Sequence, residues 1–91
     1  VWPVALPYSI EVNAFSREEE AKRRLGEIVG QTGFESFTLV SRVSDEVPVY
    51  RVFVGKFKDL ASALAASEEL KKSPLFADDI HVVARSEALG D

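Results

Sequence analysis

Two short stretches of the chain alternate: Tyr8, Ile10 and Val12 against Ser9, Glu11 and Asn13, then Tyr50, Val52 and Val54 against Arg51, Phe53 and Gly55. Successive side chains of an extended chain point to opposite sides, so this period predicts strands with one face buried. Each stretch closes on a residue that tolerates positive φ, Asn13 or Gly55, two positions before Phe15 or Phe57. A bulge or sharp bend is expected at both places. The spacing then lengthens to that of a helix. Ala21, Leu25, Ile28 and Val29 fall on one helical face, and Gly30 and Gly33 end it. Ser16-Arg17-Glu18-Glu19 predicts a capping box at its start, the Ser16 hydroxyl accepting from the Glu19 backbone N–H. In the second half Asp59 is the expected cap, Leu60, Ala63, Leu64, Ser67 and Leu70 share a face, and Pro74 forbids continuation. A further apolar stretch follows each helix, at 37–43 and 80–84, and the polar run 44–48 is expected to join the halves as a hairpin turn.

The two halves are copies. At an offset of 42 residues (50 minus 8), Tyr8 falls on Tyr50, Val12 on Val54, Phe15 on Phe57, Ala21 on Ala63, Glu27 on Glu69, Phe34 on Phe76 and Val40 on Val82. Ile10 meets Val52 and Ile28 meets Leu70. A β-α-β unit repeated across a hairpin gives β-α-β-β-α-β. Right-handed crossovers then bring the first strands of the two units together at the centre of a four-stranded antiparallel sheet, with both helices on one face. The fold expected is α+β, ferredoxin-like, with residues 1–7 an extended lead-in, 8–84 the domain and 85–91 a tail. In the outer strands the larger apolar set, Phe37, Leu39 and Val43, is taken as facing the helices in preference to Thr38, Val40 and Arg42. His81 and Val83 are assigned to the helix-free face.

Composition narrows what such a domain does. Ninety-one residues leave room for one domain with a thin core, and 46% hydrophobic with 29% charged residues is a folded composition. With no cysteine there are no disulfides, thiolate metal sites or cysteine nucleophiles. No apolar run approaches the roughly 20 residues of a membrane helix. The chain opens on Val1 and contains no Met, which suggests a piece of a longer protein. A net charge of −4 argues against a surface built to neutralise phosphates. Glu18-Glu19-Glu20 ahead of Lys22-Arg23-Arg24 suits a solvated helix face. His81 has no second ligand at metal spacing, and the acidic pairs Asp45-Glu46 and Asp78-Asp79 read as turns, so no metal or cofactor is expected. Gly55-Lys56 lacks the frame of a phosphate-binding loop.

The run Tyr50-Arg51-Val52-Phe53-Val54-Gly55-Lys56-Phe57, followed by an Ala-rich helix, resembles the signature of the SPOR (sporulation-related repeat) domain, an aromatic followed by Arg-Val-x-Val-Gly-x-Phe. Tyr8 to Phe15 is similar to that family's first strand. The likeness extends over residues 8 to 84. It implies a bacterial cell-envelope module, on the periplasmic or extracytoplasmic side, that binds peptidoglycan without catalysis, in particular glycan strands denuded of stem peptides at division sites. Carried over by position, the glycan would touch Glu11, Ala14, Arg51 and Phe53 on the helix-free face. A pyranose ring stacks on an aromatic such as Phe53, while Ser9, Asn13 and Arg51 suit sugar hydroxyls or a lactyl carboxylate. The expected glycan-binding set is thus Glu11, Asn13, Ala14, Arg51 and Phe53. Three positions depart from the family pattern: Glu11 stands for Gln, Asn13 for Gly, and Val49 for an aromatic.

Other functions fit less well. An RNA-binding RRM-type domain shares the element order, but needs aromatics on both central strands in a basic surround, and here Glu11 and Asn13 occupy the first strand. An enzyme lacks a second carboxylate or a nucleophile and base on that face. A protein-interaction module using exposed strand edges is the remaining alternative.

Overall fold

The computed structural model describes residues 2–42, 48–76 and 80–89. Its elements run β1 (Tyr8–Phe15), α1 (Glu18–Thr32), β2 (Ser36–Arg42), β3 (Pro48–Phe57), α2 (Leu60–Lys71), β4 (His81–Ala84) and a short α3 (Arg85–Leu89). The strands form one antiparallel sheet in the order β2-β3-β1-β4, the ferredoxin-like arrangement expected from the repeat. The expected hairpin turn, with Val43, Asp45 and Glu46, lies outside the described residues, as do Asp78 and Asp79. No described helix is long and apolar enough to cross a membrane.

One core fills the space between the sheet and the two main helices. Ile10, Val12, Val52 and Val54 from the central strands meet Ala21 and Ile28 of α1, Leu70 of α2, and Phe76 and Ile80. The repeat explains this symmetry. Ile10 and Val52, Val12 and Val54, Ala21 and Ala63, and Ile28 and Leu70 are all buried, each pair occupying equivalent places in the two units. Val29, Leu60 and Leu64, assigned to the same helical faces, are exposed instead.

The helix ends follow their local chemistry unevenly. Asp59 caps α2, its Oδ1 accepting from the Ser62 N–H at 2.8 Å. The capping box at Ser16 does not form. The helix starts one residue later, with Arg17 at the cap position and no side-chain bond, and its N-terminus is complemented by Glu18, Glu19 and Glu20. Gly33, at φ 75°, ends α1 by donating its N–H to the Val29 carbonyl, while Gly30 lies within the helix.

Two register breaks interrupt the β1–β3 ladder. Tyr8 pairs with Phe57 but Ile10 with Val54, leaving an extra residue on β3 at Gly55 and Lys56; Glu11 pairs with Phe53 but Asn13 with Val52, leaving one on β1 at Val12. These are the expected bulges. Only the first uses positive φ, at Gly55 (φ 72°).

Beyond the bulge at Val12 the parity of β1 changes. Asn13 pairs with the helix-facing Val52, and its Oδ1 accepts from Arg24 Nε of α1 at 2.7 Å. Asn13 is therefore on the helix side, contrary to its expected place in the ligand face. Ala14, paired with Arg51, remains on the helix-free side.

The parity expected for β2 is also reversed. Phe37 pairs with Phe53 and Leu39 with Arg51, so these apolar residues line the helix-free face, while Thr38 and Val40 lie opposite Val52 and Tyr50 on the helix side. Val40 remains half exposed there. The reason is that the helix-free face carries its own small apolar cluster, which gives Phe37 and Leu39 something to pack against.

Candidate functional site

On the helix-free face β1, β3 and β4 bring together a charged group. Arg51 forks onto Glu11, Nε donating to Oε2 and Nη2 to Oε1, both at 2.9 Å. His81 is the direct cross-strand partner of Glu11, with Nε2 3.2 Å from Oε1. Both side chains of the Glu11–Arg51 pair are largely withdrawn from solvent, whereas His81 is exposed. The Arg51 hydrogen bonds hold the Glu11 carboxyl below its ordinary range against the opposing effect of burial, and the charges of Arg51 and His81 add to this. The same pairing raises the Arg51 guanidinium. Beside this group a recess of about 140 Å³ is lined by Glu11, Val12, Asn13, Ala14 and His81.

Phe53 lies next to the ion pair, with the Arg51 guanidinium carbon 5.2 Å from its ring centroid. It is not the open stacking surface expected. Phe53 is 0% exposed, stacked on Phe37 (centroids 5.2 Å apart, planes at 13°) and covered by Trp2 at 5.3 Å. Trp2 also meets Phe37 edge-on at 5.4 Å, and Val83 and Ala88 complete the cluster. Across the sheet Lys56 stands 5.1 Å from the Phe37 ring centroid and pairs with Glu35.

The cover over this cluster is built from the two ends of the chain. The lead-in is not simply extended. It turns, Leu6 N–H donating to the Pro3 carbonyl, and the Trp2 indole N–H donates to the Leu6 carbonyl at 2.8 Å. From the other end, Arg85 Nε donates to the Trp2 carbonyl, and Arg85 N–H to that of Pro7, each at 2.7 Å. Ser9, another residue expected to meet sugar hydroxyls, is fully buried, with its hydroxyl against the Val54 and Gly55 carbonyls at 3.2 and 2.5 Å. It stabilises the β3 bulge.

Of the five expected ligand residues, Glu11, Ala14 and Arg51 therefore share the helix-free face, Phe53 lies on it beneath Trp2, and Asn13 is on the other side. His81 and Val83 are on the face assigned to them. Trp2, Phe37 and Lys56 belong to the same face and were not read from the sequence. Phe37 follows once its register opposite Phe53 is known, whereas nothing in the pattern around Trp2 signals where it docks. Among the described residues no cluster of three or more His, Asp or Glu could hold a metal ion.

A family model described as SPOR domain matches residues 7–76. No curated protein matches. No solved structure matches either.

Proposed function

Because the chain belongs to the SPOR domain family, whose members are peptidoglycan-binding rather than catalytic modules of bacterial cell-envelope proteins, we propose that it binds denuded glycan strands at the division site through its helix-free face. The family match carries this reading. Glu11, Ala14 and Arg51 support it, since the positions implied by the family resemblance form one stripe across β1 and β3. The glycan lies along this stripe and past His81. Arg51 supplies guanidinium donors to a lactyl carboxylate or ring hydroxyl, and exposed Ala14 leaves room for the sugar beside the recess. Asn13 takes no part in this version of the site; it ties β1 to α1.

Co-sedimentation with intact sacculi, amidase-denuded sacculi and a no-ligand control tests the proposal. Binding is expected to denuded material only. Ala14→Glu, on an exposed position where the fold tolerates a longer side chain, should weaken it by about tenfold or more by adding bulk and negative charge. Equal pelleting with intact and denuded sacculi, or no effect of Ala14→Glu, would remove the assignment of ligand or face respectively.

A further inference from the structure

We propose that Trp2 and α3 form a latch over the helix-free face, and that glycan binds in competition with this latch; the inference rests on the glycan reading above. Trp2 occupies the place a sugar ring would take on the Phe37–Phe53 pair. It is 5% exposed, and its ring centre is about as far from Phe53 as Phe53 is from Phe37. The Trp2 ring meets this pair at an angle, 50° to Phe53 and 62° to Phe37, and with Arg51 and Lys56 over the two rings it fills the space through which a sugar would reach them.

Three further observations make the cover removable. It lies outside the part of the chain that the family model matches, residues 7–76, at one end through Trp2 and at the other through α3. The domain's larger core, between sheet and helices, includes neither Trp2 nor any residue of α3. Finally, the Trp2 indole N–H bonds the Leu6 carbonyl and the Trp2 carbonyl accepts from Arg85, while α3 holds to β4 through an exposed bond from the Ala84 N–H to Glu87 Oε1. α3 buries none of its residues fully. A closed latch lowers apparent affinity by the fraction of molecules in which it is open.

Trp2 is the chain's one tryptophan, so its emission reports the latch directly. On saturation with soluble amidase-released glycan, acrylamide quenching of Trp2 should rise as it leaves the cluster. Trp2→Ala should bind at least about tenfold more tightly than the parent chain, and Arg85→Ala, which releases the Trp2 carbonyl, several-fold more tightly. Circular dichroism checks that each variant is folded. Should Trp2→Ala fail to fold, the quenching of the parent chain and the affinity of Arg85→Ala decide. If the parent chain pellets with denuded sacculi while its quenching is unchanged and the variants bind no more tightly, the latch is wrong and the glycan reading stands. If neither parent nor folded variants pellet, both fall.

Discussion

Glu11 places a carboxylate on a face read as binding an anionic polymer, and its geometry shows why this is tolerable: the charge is spent on the Arg51 fork and on His81. The cost is that Arg51 is engaged. Replacing Glu11 by Gln removes the competing charge, and the expected outcome is several-fold tighter sedimentation with denuded sacculi. Equal pelleting of both forms would sink that expectation. The same pair gives a pH dependence. The folded carboxyl lies below its ordinary value of 4.5, so its contribution to stability is complete above that value and is lost as pH falls through the folded value. Thermal melts should therefore show the parent chain more stable than Glu11→Gln at neutral pH, with the gap closing as pH falls from the ordinary 4.5 through the lower folded value. Alternation alone was enough to put Glu11 and Arg51 on one face. It could not place Asn13, because one inserted residue at Val12 reverses every side chain beyond it.

At the scale of elements, the bulges and caps carry separable effects. Gly55 combines φ 72° with a position where an added Cβ would come 2.7 Å from Phe57 Cζ. Gly55→Ala should destabilise the domain by about 2 kcal/mol or more in urea unfolding, from left-handed backbone strain and the displaced Phe57 ring. Asp59→Ala should cost about 1 kcal/mol, because it orphans the Ser62 N–H. Ser16→Ala should cost little by comparison, since Arg17 holds the cap position without a side-chain bond. The bulge at Gly55 and the Asp59 cap were legible because each depends on a local backbone need. The parity of β2 was not. Its strand is apolar at both phases, Phe37 and Leu39 on one side and Val40 on the other, so the outcome depends on which partners the remote Trp2 and Val83 provide.

For the molecule as a whole, the repeat made the larger core readable and left the smaller one hidden. Paired positions at the 42-residue offset became paired core residues, because each βα unit buries its apolar face against the other. The cluster of Trp2, Phe53 and Val83 obeys no such symmetry, since its cover comes from outside the two copies. One result is a changed meaning for Phe53. As a fully buried ring it should cost about 3 to 5 kcal/mol when truncated to alanine, so a loss of glycan binding by Phe53→Ala carries weight only in chains shown by circular dichroism to remain folded.

The Arg85–Trp2 bond joins residues 83 positions apart and brings the two ends of the described chain to one spot on the sheet. The backbone at Trp2 and that at Arg85 therefore flank the sheet at nearly the same point, the arrangement that inserted domains share.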